Sequence, residues 1–215
     1  GNLLLDVLLG ASIHWTGDDN VAAGIERTAN KLRDEGVRPF VIPYGGSNAL
    51  GASAYADAVA ELETQRLAAG VSFDRIVFAS SSGGTHAGLL VGAALQGCAS
   101  TLHGIAIDKH LDGVPLRTVV VDLANEVASL LGCTRQWSAD DVLLDDGFVG
   151  EGYGAVGDLE HEAIALLART EGILLDPVYT GRAFAGLLHR FFDGTIDRDE
   201  HVLFWHTGGQ PALFA

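Results

Sequence analysis

The chain has 215 residues, 48% hydrophobic and 19% charged, enough apolar content for a substantial core and too much for disorder. Thirteen Lys and Arg against 28 Asp and Glu leave a formal charge of −15, a field that repels nucleic-acid backbones and anionic lipid surfaces. No apolar run reaches the roughly 18 residues of a membrane span and no basic leader precedes an apolar one, so the expectation is a cytoplasmic protein with no nucleic acid and no membrane as partner.

The cations comprise 11 Arg and only two Lys, Lys31 and Lys109, and Met is absent, which leads us to expect a fragment beginning at Gly1. Cys98 and Cys133 lack a CxxC partner or a His at ligand spacing, so neither structural zinc nor a disulfide framework is expected. Both sit in apolar stretches and read as buried, inert thiols.

In chain order, Asn2 to Leu9 reads as helix and Ala11 to Trp15 as extended. Asp18 or Asp19 can cap a helix running to about Glu35 and closed by Gly36. A short strand, Arg38 to Ile42, leads into the loop Pro43-Tyr44-Gly45-Gly46, and Ser47 can cap a long helix to about Ala69. Then come strand Arg75 to Ala79, helix Thr85 to Leu95, strand Leu102 to Ile107 and helix Pro115 to Leu131. A turn-rich passage from Asp140 to Asp158 precedes a helix to about Arg169, strand Gly172 to Leu175, helix Thr180 to Phe192 and strand His201 to Trp205. Continuous apolar strands such as Ile76-Val77-Phe78 suit an open, mostly parallel sheet with helices on both faces, so the fold class is α/β. The less regular residues 1–45 are expected to be part of a second, smaller α/β domain, and 46–215 the larger one.

Ligands of open parallel sheets bind beyond the carboxyl ends of the strands. The strongest such segment is Arg75-Ile-Val-Phe-Ala-Ser-Ser-Ser-Gly-Gly-Thr-His, a strand delivering a hydroxyl-rich loop onto a helix start. Backbone N–H groups and hydroxyls at the positive end of a helix are what a phosphate group needs. The loop lacks the Gly-Lys-Ser/Thr of a P-loop, and its glycine spacing does not fit G-x-G-x-x-G. A cradle without lysine or metal ligand suits a monophosphate, as on pyridoxal phosphate; the alternative is a well-capped helix after a turn. Pro43 to Gly51, Leu175 to Ala183 and Trp205 to Ala212 also place small or hydroxyl residues after strands, and each taken singly can be no more than a turn.

Together these segments resemble the fold-type-II, tryptophan-synthase-β-like pyridoxal-phosphate enzymes, in the branch of D-cysteine desulfhydrase and 1-aminocyclopropane-1-carboxylate deaminase. The resemblance rests on Gly1-Asn-Leu-Leu-Leu-Asp, Pro-Tyr-Gly-Gly-Ser-Asn, Ser-Gly-Gly-Thr-His-Ala-Gly, Gly-Tyr-Gly, Leu-Asp-Pro-Val-Tyr-Thr-Gly and His-Thr-Gly-Gly-x-Pro-Ala-Leu-Phe, in that order along the chain. It implies that Ser82, Gly83, Gly84 and Thr85 wrap the cofactor phosphate, and that Thr207 and Gly208 lie at the nitrogen edge of its ring. It further implies that Tyr179 and Thr180 flank the ring and that Tyr153 faces substrate, the two tyrosines being the catalytic candidates. In the deaminase a Glu stands where this chain has Thr180 and a Leu where it has Thr207. Hydroxyls there resemble the desulfhydrase side, because a carboxylate near the pyridine nitrogen favours its protonation and a stronger electron sink.

The resemblance therefore implies a pyridoxal-phosphate-dependent homodimeric lyase that eliminates the β-substituent of a small D-amino acid, D-cysteine to pyruvate, ammonia and sulfide. The deaminase and a cysteate sulfo-lyase are its alternatives, and a non-catalytic, phosphate-binding remnant is the non-enzyme reading. Such an enzyme needs a lysine to hold the cofactor covalently and move the α-proton. Lys31 reads as part of a solvated helix face, and Lys109, in Asp-Lys-His after a strand, is the one in-chain candidate; the family motif places its lysine before the segment that begins at Gly1. His86 and His206 are expected near the site in supporting roles, and no histidine pair has metal-ligand spacing. Asp176 before Pro177 reads as a turn former, and Asp140-Asp141 and Asp145-Asp146 as solvated turns.

Overall fold

A computed structural model describes residues 1–17, 21–111 and 113–214. Helices α1 (Asn2–Leu8) and α2 (Val21–Asp34) lead to a 3-10 turn at Tyr44–Gly46 and the long helix α3 (Ala49–Ala69). Strand β1 (Arg75–Ser80), helix α4 (Gly84–Gln96) and strand β2 (Thr101–Ala106) form the central unit. A two-residue hairpin, β3 (His110–Leu111) with β4 (Val114–Pro115), precedes α5 (Leu116–Leu131) and β5 (Leu143–Asp145). Helices α6 (Asp158–Glu171) and α7 (Thr180–Phe192) and strand β6 (Val202–Phe204) complete it.

The sheet order is β5-β2-β1-β6 and every neighbouring pair is parallel. Because strand side chains alternate between faces, β1 sends Ile76 and Phe78 to one side and Val77 and Ala79 to the other. On the first side they join residues of α3, α4 and α5; on the second, Ile105, Ile107 and Ala183 of α7. Helices thus cover both faces, as the apolar strands predict. Burial of each fully enclosed side chain such as Phe78, Leu89 or Ile105 contributes about 1.5–3 kcal/mol.

The α3–α4 contact is unusually close, and the sequence shows why. A Cβ on Gly88 would lie 2.6 Å from the Cβ of Tyr55, and one on Gly92 would lie 2.8 Å from the Cα of Ala56. Glycine on α4 facing Ala52 and Ala56 on α3 lets the two backbones approach, which brings the start of α3 beside the start of α4.

Several expectations are corrected. The chain from Ala11 to Trp15 and from Arg38 to Ile42 forms no strand, since no neighbour pairs with it; Phe40 is 80% exposed. The cap expected at Asp18 or Asp19 lies outside the described residues. Asn48, not Ser47, caps α3: its extended backbone lets its side chain accept from the Gly51 N–H at 2.8 Å. Gly172 to Leu175, expected as a strand, joins no ladder either. Conversely, β5 lies within the turn-rich passage, where flanking aspartates obscure a short strand.

Those aspartates are not simply solvated. Asp145 is bound by Arg190, with Nε–Oδ2 at 2.6 Å, and Asp141 by Arg135 at 2.9 Å. Cys98 and Cys133 are free and half-buried rather than enclosed. Among the described residues no helix is long and apolar enough to cross a membrane.

Candidate functional site

Strand β1 ends at Ser80, and the chain turns through Ser81, Ser82 and Gly83 into α4. Gly83 takes a left-handed conformation, φ 87°, which turns the loop into the helix without a side-chain cap. The first N–H groups of α4 consequently have no intrahelical acceptor, since the Ala87 N–H is the one that binds the Gly83 carbonyl. They carry the positive end of the helix dipole.

This loop borders a cleft of about 440 Å³ at the carboxyl ends of β1 and β6. Ser82, Gly83 and Thr85 line it on the loop side, Tyr44, Tyr153 and Tyr179 on another, and Thr207, Gly208 and Gly209 on a third. Chain segments far apart in sequence thus meet in one cleft. None of the lining residues is a Lys, Arg, Asp or Glu.

Of the nine candidates, Ser82, Gly83, Thr85, Tyr153, Tyr179, Thr207 and Gly208 line the cleft. Gly84 lies behind the loop: a Cβ on it would sit 2.8 Å from the Ser47 hydroxyl. Thr180 is fully buried and turned away; its hydroxyl donates to Asp176 Oδ1 and accepts from the Asp176 N–H, at 2.7 and 2.8 Å. Lys31 and Lys109 are exposed and line no part of the cleft.

Asp176 organises the turn that presents Tyr179. Its carboxylate, 1% exposed, accepts the N–H groups of Val178, Tyr179 and Thr180 at 2.7–2.8 Å. The expected turn-forming role therefore describes its contacts.

The hydroxyls of Tyr153 and Tyr179 are hydrogen-bonded, with the rings edge to face and their centroids 5.9 Å apart. Burial, together with the bond to Tyr179, pushes the Tyr153 phenol up to about 12, and burial also raises that of Tyr179. Both are therefore neutral phenols near neutral pH, with hydroxyls that can donate hydrogen bonds. Tyr153 is held in place by Arg182, whose guanidinium, 1% exposed, donates to the carbonyls of Gly152 and Ile107, each at 3.1 Å, and to that of Ala155. Its Nε binds Glu160 at 2.7 Å.

Sequence reading missed some contributors. Tyr44 stands in the flagged Pro-Tyr-Gly-Gly segment, and its side chain hydrogen-bonds Tyr153, yet a tyrosine between proline and glycine is an ordinary turn residue. Ser47 gave a cap signal, but its Oγ lies 2.7 Å from that of Ser82. Asp108, beyond β2, has its carboxyl raised by burial, and its charge raises both phenols. His86 is fully enclosed, with Nδ1 3.2 Å from the Ser80 hydroxyl and its ring edge-on to Phe78. Burial, then the charge of Arg117, pushes it down to about 3, so it is neutral.

Comparison with known proteins bears on the family and the fold. A family model described as pyridoxal-phosphate dependent enzyme matches residues 1–208. A solved structure described as an ACC deaminase homologue superposes with a TM-score of 0.86 at 35% sequence identity over 97% of this chain. The chain spans 62% of the length of that structure's chain. With a family model matched over nearly its whole length, the chain belongs to the pyridoxal-phosphate-dependent enzyme family.

Proposed function

We propose that the protein is a pyridoxal-phosphate-dependent lyase that performs α,β-elimination on a small D-amino acid, converting D-cysteine and water to pyruvate, ammonia and hydrogen sulfide. The observation that carries this reading is the meeting, in one cleft, of the Ser82–Thr85 loop at the start of α4 with the Tyr153–Tyr179 phenol pair.

The residues present fit the phosphate of the cofactor. The loop offers hydroxyls at Ser82 and Thr85 and unpaired N–H groups at a helix start, and it is held by neighbours a methyl group would displace: a Cβ on Gly45 would lie 2.7 Å from the Ser82 Cβ. When bound, pyridoxal phosphate supplies the electron sink that stabilises negative charge at the substrate α-carbon. No lysine of this chain is assigned to it, as Lys31 and Lys109 lie outside the cleft.

The chain's own residues then have distinct tasks. Ser82, Thr85 and the N–H groups bind the phosphate. Thr207 and Gly208 would border the ring edge with a hydroxyl and a side-chain-free turn rather than a carboxylate, the Gly208 N–H being bound to His206. Tyr153 Oη, bonded to Tyr179 Oη and to Tyr44, keeps its proton and is placed to hydrogen-bond the sulfur that departs as thiolate when the Cβ–S bond breaks. The Asp176 turn keeps Tyr179 at that place.

The likeness to a structure described as an ACC deaminase homologue favours a second reading, opening of the cyclopropane ring of 1-aminocyclopropane-1-carboxylate. Thr180 does not weigh against it, because its hydroxyl is occupied by Asp176. Purified protein supplied with pyridoxal phosphate is offered D-cysteine, L-cysteine and the cyclopropane amino acid, and sulfide, pyruvate and 2-oxobutyrate are measured. Preference for D-cysteine supports the first reading; equal or faster ring opening replaces it with the second.

A further inference from the structure

His206 uses both of its ring nitrogens. Nδ1 lies 2.9 Å from the backbone N of Gly208, and Nε2 lies 3.0 Å from the carbonyl oxygen of Leu174. An N–H can only donate, so Nδ1 must present its lone pair; a carbonyl can only accept, so Nε2 must carry the hydrogen. The two contacts thus select one neutral tautomer, and they join segments 32 residues apart.

Both segments border the cleft. Leu174 leads directly into the Asp176 turn that presents Tyr179, and Gly208 follows Thr207 on the opposite edge. A second contact joins the same segments: Gly209, at φ 97°, lies so close to Asp176 that a Cβ would come within 2.6 Å of the Asp176 Cβ. The chain from Gly208 to Gly209 has two consecutive positive φ angles, a conformation with little intrinsic preference for one geometry. Something outside those glycines must choose it.

We propose that His206 is the positioning residue of the Thr207–Gly208 turn: its Nδ1 fixes the Gly208 N–H while its Nε2–H anchors the turn to Leu174, and so sets the cleft edge that receives the cofactor ring. The proposal rests on the pyridoxal-phosphate reading of the cleft. His206 touches neither substrate nor cofactor in this role; it acts through the turn.

Two variants separate the contacts. An asparagine side chain is shorter than histidine, but its oxygen accepts from the N–H two residues on, so His206→Asn retains the Gly208 bond and loses the Leu174 one. His206→Leu keeps bulk and loses both. Amide hydrogen exchange at Gly208 is read in the ligand-free protein, and pyridoxal-phosphate affinity is read by fluorescence titration. We expect His206→Leu to speed Gly208 exchange and weaken affinity, each by about tenfold, the scale of one lost hydrogen bond. His206→Asn should return both to within about threefold of wild type, a rescue that loss of bulk alone would not produce.

Unchanged Gly208 exchange in His206→Leu, or faster exchange with undiminished affinity, overturns the proposal. Should His206→Leu fail to fold, His206→Asn decides: retained protection with retained affinity supports it, and retained protection with lost affinity overturns it. If wild-type protein binds no pyridoxal phosphate, the reading of the cleft fails separately, and Gly208 exchange alone decides whether His206 holds the turn.

Discussion

The hydroxyls of Ser47 and Ser82 lie 2.7 Å apart, joining the residue before the cap of α3 to the loop before α4. Gly45 makes that contact possible, since it leaves room for the Ser82 side chain and takes φ 66°. Gly45→Ala should therefore displace Ser82 and lower pyridoxal-phosphate affinity by about tenfold or more, besides the ~1 kcal/mol cost of a left-handed alanine. Gly70 has the same φ of 66° with nothing within 4 Å of its would-be Cβ, so Gly70→Ala should carry the conformational cost alone. Denaturant unfolding and ligand titration of the two variants check this; equal affinities would show that Ser82 does not need its place.

His86 makes stability depend on pH in a defined window. Its folded-state value of about 3 lies below the ordinary 6.5, so between them the unfolded chain binds the proton and the folded chain does not. Its stabilising contribution is complete above 6.5 and is lost as pH falls from there, with a slope approaching ~1.4 kcal/mol per pH unit. His86→Gln should flatten the fall in unfolding free energy between pH 7 and pH 5, whatever its effect on absolute stability. Parallel slopes for variant and wild type would assign the pH dependence to other groups.

Arg182 is the largest fully buried side chain among the described residues and binds Glu160 as well as the Ile107, Gly152 and Ala155 carbonyls. Arg182→Met leaves Glu160 buried without its partner and should cost about 3–5 kcal/mol. Glu160→Gln retains a hydrogen-bonding oxygen and should cost less. Burial raises the Glu160 carboxyl, but Arg182 and the N–H groups at the start of α6 outweigh it and hold it below the usual range. Stability from this pair is present above the ordinary carboxylate value and declines as pH falls below it, so the gap between wild type and Arg182→Met should narrow in acid.

Removal of the Tyr153 hydroxyl tests its hydrogen-bonding role directly. Tyr153→Phe should lower the rate of elimination by about 100-fold with pyridoxal-phosphate affinity nearly unchanged, the scale of a lost hydrogen bond to charge developing on the leaving sulfur. Tyr44→Phe, which removes a bond to that hydroxyl, should have a smaller effect in the same direction. A full rate in Tyr153→Phe would assign stabilisation of the leaving sulfur to another group.

Much of the site was legible because its signals are local. The run of apolar residues in Ile76-Val77-Phe78, the hydroxyl-rich loop after them and the glycine at the start of α4 depend on neighbours within a few residues, and they put strand, turn and helix in their places. The short strands were not legible for the opposite reason. Arg38 to Ile42 and Gly172 to Leu175 have strand-like composition, yet a strand exists only where another pairs with it, and neither segment is paired with the sheet β5-β2-β1-β6.

By itself the sequence determined the α/β class, the phosphate-suited loop and the ordered segments that mark the family. Tertiary structure decided which hydroxyls face the cleft. Thr180, beside Tyr179 in sequence, turns inward to Asp176 because a buried carboxylate must be paired, whereas Ser47 is drawn to Ser82 by the close packing of α3 on α4. The direction of a side chain depends on partners distant in sequence, and spacing along one chain does not encode them.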